Sequence, residues 1–209
     1  MAQRTLSLVR STVAGLSVMT LADAARAQHV GAFVLDVRGP DAFAAGHLPG
    51  SVNIAADDPA GFEELRDALL PSGVDVVVVG PAEAAARALE LLAGHAPVLG
   101  HLADPGAAAA SRRVPTLDRA GAQQVVDVRC GGRVVGGAIR IPVADVLGRL
   151  AELRPDVTTA VLDGDGRASS AVASLLRACG FRDVTEVVET LDRPVRAVSR
   201  PRLRLLASA

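Results

Sequence analysis

The stretch AFVLDVR (residues 32–38) returns later in the chain as QQVVDVR (residues 123–129). The first reads as a buried strand ending at Asp36, and the second matches it over its last five residues, VLDVR against VVDVR. Working outward from the first copy, PDAFAAGHLPGSVNI (40–54) reads as a short helix, a turn and a short strand. PAGFEELRDALL (59–70) is amphipathic at helical spacing, and VDVVVVG (74–80) is a β-branched strand without polar alternation, hence buried on both faces. PAEAAARALELLAGH (81–95) predicts a helix ending near Gly94, and APVLGHL (96–102) a further short strand. Outward from the second copy, the order repeats. GGAIRIP (136–142) matches PGSVNIA, VADVLGRLAELRP (143–155) the amphipathic helix, VTTAVLDGDG (157–166) the valine-rich strand, and ASSAVASLLRACGF (168–181) the helix after it. DVTEVVE (183–189) closes the unit.

This is an internal duplication of roughly 90 residues, longer than a solenoid repeat, and each copy holds a domain's worth of strands and helices. The expected fold class is α/β: two tandem units, each a mostly parallel sheet flanked by helices. The expected boundaries are 13–105 and 120–192 for the units, 106–119 for a linker and 193–209 for an arginine-rich tail. The linker reading rests on ADPGAAAASRRVPTLDRAG (103–121), which is rich in small residues and proline and lacks an apolar period.

Bulk composition narrows the chemistry. The chain has 209 residues, half of them apolar, with aromatics at only 2%, so any core is built from Val, Leu, Ile and Ala. A formal charge of −1 gives no basic face for nucleic acid. Every basic residue is arginine. The absence of lysine removes Schiff-base chemistry and the lysine of a nucleotide P-loop. The two cysteines, Cys130 and Cys179, suit a reducing cytoplasm. The four histidines (His29, His47, His95, His101) lack the close spacing of a metal site. No stretch is long and apolar enough to span a bilayer. The start, residues 1–28, loosely resembles a secretory leader; its other reading is a first helix with Leu16, Met19 and Ala24 facing the core.

VLDVRGPDAFAAGHLPGSVNI (34–54) closely resembles the rhodanese (sulfurtransferase) family. The strand end Asp36, Val37, Arg38, then Phe43, then GHLPGS (46–51) follow the family's signature in order. The second copy carries VVDVR and a helix like the one after the family's active-site loop. The pair is also similar to the tandem rhodanese region fused to some metallo-β-lactamase-fold proteins of sulfur metabolism. The resemblance implies a nucleophilic cysteine at a strand end, followed by a short loop turning into a helix. There the loop N–H groups and the helix N-terminus steady a thiolate and its persulfide.

Both nucleophile positions depart from that pattern. In the second copy the position is Asp163, followed by Gly164, Asp165, Gly166, Arg167, Ala168 and Ser169 as candidates for an anion-binding loop, with the basic residue displaced by one. A carboxylate carries no persulfide and repels thiosulfate, yet it can itself accept from the loop N–H groups. In the first copy the position falls at Gly80, in a shortened loop with Arg87 further along. Cys130, after Arg129 and beyond a strand end, is the remaining candidate nucleophile. Cys179, at a helix C-terminus, reads as a small apolar filler. Asp36 with Arg38 and Asp127 with Arg129 are candidate pocket-rim pairs. Their other reading is carboxylates that shape the loop, favoured because the pair recurs in both copies. His47 reads as structural, holding the turn. DGDGR lacks the ligands of a calcium loop, and Ser169 and Ser170 lack a histidine partner in their unit.

The expected function is a non-catalytic, binding or regulatory protein of sulfur metabolism, with no cofactor and no metal. Its expected partner is a sulfur-metabolism protein or a small sulfur anion. The alternatives are an active thiosulfate or persulfide sulfurtransferase using Cys130, and an accessory subunit of a metallo-hydrolase. The tail, with Arg193, Arg196, Arg200, Arg202 and Arg204 and no acid after Asp192, is either solvated or a contact for an acidic partner.

Overall fold

A computed structural model of the protein describes residues 16–106, 108–117, 120–131 and 135–188. The leader-like start up to residue 15 and the arginine-rich tail lie outside the described residues. The first half runs α1 (Leu21–His29), β1 (Phe33–Asp36), α2 (Pro40–Ala45), β2 (Val52–Asn53), α3 (Pro59–Leu69), β3 (Val76–Val79), α4 (Ala82–Leu92) and β4 (Val98–Leu102). The second runs β5 (Arg112–Val114), β6 (Gln124–Asp127), β7 (Ile139–Arg140), α5 (Val146–Arg149), β8 (Thr159–Asp163), α6 (Arg167–Ala178) and β9 (Val184–Val188). Among the described residues every pairing between these strands is parallel. The first sheet has the order β4-β3-β1-β2 and the second β5-β9-β8-β6-β7. Without β5 the two orders coincide.

The valines of β3 alternate between two cores. Val76 and Val78 face one that continues across both halves, while Val77 and Val79 face a smaller one under α1 with Ala24 and Val34. The continuous core joins Phe62, Leu65 and Leu69 of α3 to Val126, Ile141, Val143 and Val146, and to Val172 and Leu176 of α6. Fully burying one such Leu or Phe contributes about 1.5–3 kcal/mol. Small residues on α6 let it lie close over β2. There Ser174 Oγ accepts from Asn53 N–H (2.9 Å), and Ser170 Oγ donates to Asn53 Oδ1 (2.8 Å). Asn53 Nδ2 in turn donates to the carbonyls of Asp36 and Arg38 at 3.0 and 2.7 Å. The buried amide is thereby satisfied, as burial demands.

Three expectations are corrected. The segment read as a linker is partly a strand: β5 forms the edge of the second sheet, held because Arg113 reaches the fully buried Glu186 of β9 at 2.7 Å. Ser17–Met19 lie along β4 in the matching place, bonded to His101 N–H and O. The predicted first helix therefore begins only at Leu21; Leu16 and Met19 still pack on the core from outside it. The predicted helix at 143–155 is broken into a 3-10 turn, the four residues of α5 and a second 3-10 turn. Gly148, inside α5, lowers helix propensity by about 1 kcal/mol against alanine.

His47 anchors the crossing between halves. Its ring stacks on Phe43, with centroids 4.0 Å apart, and its Nδ1 pairs with the Phe43 carbonyl at 2.9 Å. Its backbone pairs both ways with Ala109. Burial pushes the imidazole below its ordinary value of 6.5, against the Phe43 carbonyl, which pulls it up. A depressed base favours the neutral form in the folded state. Its stabilisation is therefore present above pH 6.5 and is lost as pH falls through the lower folded value. Urea titrations from neutral to mildly acid pH are expected to show this loss, with a slope no steeper than about 1.4 kcal/mol per pH unit from one group. In His47→Gln the slope is expected to flatten; an unchanged slope would refute the assignment.

Candidate functional site

The second chain half reverses direction between β6 and β8: from β6 the chain passes to β7 on one side, and from β8 to β9 on the other. Ligands of parallel sheets gather outside the carboxyl ends of strands at such a switch point. A cavity of about 730 Å³ opens there. Val128, Arg129 and Cys130 follow β6 into it, and Asp163, Gly164, Asp165, Arg167 and Ala168 follow β8. The first half supplies the facing wall, with Asp58, Gly61, Glu64 and Leu65 from the N-terminal part of α3.

The loop after β8 closes on Asp163. Its Oδ1 accepts from Gly164 N–H at 2.6 Å, and its Oδ2 from the N–H groups of Ala168 (2.9 Å) and Ser169 (3.4 Å). The latter two are orphan donors in the first turn of α6, so the carboxyl sits where an anion would cap the helix. Gly166 makes the turn at φ +86°, and a Cβ there would lie 2.9 Å from Arg113 Nη2 and 3.0 Å from Val188 Cγ2. Burial, then the hydrogen bond shared with the Asp165 carboxyl, hold Asp163 above the ordinary carboxylate range; the Gly164 and Ala168 N–H groups pull the other way. Asp165 also accepts from Arg167 N–H at 2.9 Å.

The cavity's two arginines are each engaged by a carboxylate. Arg167 forms a two-pronged pair with Asp57 across the junction of the halves, at 2.7 and 2.9 Å, which holds Asp57 below its ordinary range. Arg129 grips Asp127 at 2.8 and 2.9 Å. Arg38 does the same with Asp36, and also donates to Gly46 O at 2.6 Å. Asp36 and Asp127 are fully buried. Of the four expected rim residues only Arg129 lines this cavity. Asp36, Arg38 and Asp127 instead brace the backbone after β1 and β6, because a buried carboxylate needs its pairing on the spot.

Gly80, the equivalent position in the first half, is closed. Only Gly80 and Pro81 separate β3 from α4, and Pro81 has no N–H to offer. A Cβ at Gly80 would lie 3.1 Å from Val37 and 3.3 Å from Arg38 side-chain carbons, and its carbonyl accepts from His101 Nε2 at 2.6 Å. Arg87 turns away to the Ala56 carbonyl.

Cys130 is exposed on the cavity wall. Cys179 is also exposed, which overturns its reading as a buried filler. It caps the C-terminus of α6, where the chain turns out towards solvent, and partial burial pushes its thiol up. Ser169 is fully buried and offers the loop its N–H alone. Sequence reasoning missed Asp57, Asp58, Gly61, Glu64 and Leu65 of the first half and Val128 and Val143 of the second. The helix at 59–70 was visible, but nothing local told which way α3 turns its face or where the two aspartates before it lie. Among the described residues, no group of three or more His, Cys, Asp or Glu is placed to hold a metal ion, and no helix is long and apolar enough to cross a membrane.

The class defined by this architecture is an α/β protein of parallel sheets with a cavity at a strand switch point. Residues 19–102 match the family model described as the rhodanese-like domain. No curated protein sequence matches the chain. Among solved structures, the chain is similar to a thiosulfate sulfurtransferase from Pseudomonas aeruginosa at 20% identity and a TM-score of 0.35. That likeness covers 83% of this chain and 41% of the other, so the chain spans less than half that protein's length.

Proposed function

We propose that the chain is a tandem rhodanese-like protein of sulfur metabolism that binds or regulates and does not transfer sulfur. One observation carries this reading: the loop donors suited to a thiolate and its persulfide are taken by the chain's own Asp163 carboxyl. Apart from β5, the shared strand order of the two sheets supports counting the second half as a second copy of the domain. Of the two expected partners, a protein is the better fit. Asp58, Glu64, Asp163 and Asp165 line the cavity and oppose a small sulfur anion.

A second reading has an observation of its own, since Cys130 is exposed on that same cavity. In that reading Cys130 takes the outer sulfur of thiosulfate and releases sulfite. Thiosulfate:cyanide sulfurtransferase assays on the full chain and on Cys130→Ser separate the two. The proposal expects neither to exceed a no-protein control. Turnover that disappears in Cys130→Ser would replace it with the second reading.

A further inference from the structure

The segment Ala109–Arg113 joins the two halves, and none of its residues is buried in a core. Polar contacts hold it. At its start Ala109 and His47 exchange backbone hydrogen bonds at 2.9 and 3.1 Å, and Ser111 N–H donates to the Ala44 carbonyl at 3.0 Å. Ser111 Oγ then donates to Glu186 Oε1 at 3.1 Å. At its end Arg113 faces three ways. Its Nη1 donates to Glu186 Oε2 at 2.7 Å, its Nε lies 3.2 Å from Oδ1 of the exposed Asp41, and its Nη2 covers Gly166 in the turn of the cavity loop. Attachments with little buried apolar area open locally, well short of global unfolding.

We propose that Ala109–Arg113 is a strap that couples protonation of His47, in the first half, to opening of the cavity loop after β8, in the second. The coupling governs access to the cavity, whatever occupies it, and does not rest on the binding role proposed above. The neutral His47 ring donates Nδ1–H to the Phe43 carbonyl and lies flat on the Phe43 ring. A further proton, on Nε2, makes a buried cation. Burial opposes that cation; the Phe43 carbonyl favours it, Arg177 of α6 repels it, and Asp36 of β1 and Glu186 of β9 attract it. Arg38, bonded to the Gly46 carbonyl, and Arg113, paired with Asp41 and Glu186, are the other charges on the elements around the ring. A buried imidazolium is relieved by turning to water, and His47 carries the first clip of the strap on its own backbone. Release of that clip frees Ser111 and loosens Arg113. The turn that closes the loop on Asp163 then loses its cover.

Linkage makes the test reciprocal: if protonated His47 loosens the strap, a loosened strap makes His47 easier to protonate. In the full chain, NMR follows the His47 ring proton through its titration, assigned by its absence in His47→Gln. Ser111→Ala and Asp41→Asn weaken the strap at its other contacts. Each is expected to raise the His47 midpoint by about 0.3 pH unit, as befits partly exposed contacts. Direct loss of the Asp41 charge would lower the midpoint instead, so the sign separates coupling from plain electrostatics. Near neutral pH, amide exchange read by mass spectrometry is expected to speed about twofold in residues 109–113 and 164–169 together, with 76–79 of β3 unchanged. On acidification, after correction for intrinsic exchange, the parent is expected to lose protection in both segments at the His47 midpoint. In His47→Gln the strap keeps its protection, and any response left in the loop belongs to Asp163 and Asp165. If His47→Gln does not fold, the same shift is read in the other two variants from the pH at which the strap loses protection. A midpoint that stays or falls in both variants, or a strap that loosens while the loop keeps its protection, would overturn the coupling.

Discussion

Asp163→Cys is expected to produce a protein that takes a sulfur atom from thiosulfate, whereas the parent chain takes none. The substitution removes the internal carboxyl and leaves the Gly164, Ala168 and Ser169 N–H groups aimed at the same point. A thiolate placed there meets a helix N-terminus, the setting that lowers a cysteine's pKa from about 8.5. It attacks the outer sulfur of thiosulfate. A new S–S bond forms, the old S–S bond breaks, and sulfite leaves with the electron pair. Mass spectrometry then reads one added sulfur atom on residue 163, and Asp163→Ala is the control that has the opened loop without a nucleophile. Asp165 faces the new thiolate with like charge; adding Asp165→Asn relieves about 1 kcal/mol, roughly a fivefold gain in rate. If Asp163→Cys is alkylated readily and yet gains no sulfur, the loop donors do not form an anion cradle, and the account of the parent loop fails with it.

The largest loss of stability is expected from Glu186→Gln. Glu186 is fully buried in β9 and receives Ser111 at 3.1 Å, Arg177 at 3.2 Å and Arg113 at 2.7 Å. Burial already pulls Arg177 below its ordinary value, and Glu186 is what opposes that pull. Glutamine keeps the shape and removes the charge, stranding the mostly buried Arg177 guanidinium and leaving Arg113 with only the exposed Asp41, at 3.2 Å. Breaking such a cluster costs about 3–5 kcal/mol, read as a shift in the urea midpoint. Replacing the whole cluster, Arg113→Met with Arg177→Met and Glu186→Leu, is expected to recover most of the loss, because the apolar set has no charge to desolvate. A loss below about 1 kcal/mol in Glu186→Gln would show that water or movement satisfies the cluster.

Glu186 also shows where sequence reading stops. The strand at 183–189 was legible from its β-branched run, and so was the repeat that places it. The glutamate in its middle looks like any exposed strand residue. It is buried because Arg113, 73 positions earlier, pairs with it, and that pairing turns part of an apparent linker into β5. Periodicity reports which faces are apolar and is silent about a charge compensated from afar. The same limit applies to the site. Asp163, its glycines and Arg167 were legible because they lie along one loop. Asp58 and Glu64 in the cavity, and Asp57 on Arg167, were not, because their places depend on how α3 and the turn before it pack across the second half. Cys179 was misread for a related reason: its helix was legible, and the direction of the chain after it was not.

The closed first half and the open second half share one wall. With Gly80 packed shut, the first half has no loop chemistry of its own at that point, yet α3 furnishes one side of a cavity whose other side is encoded about a hundred positions later. The two halves are therefore tenants of a single pocket. A change in α3 reshapes that pocket without touching the loop after β8, and the first half works as the mould for the second. Trimming the chain to its second half would remove a wall of the pocket and half of its core together.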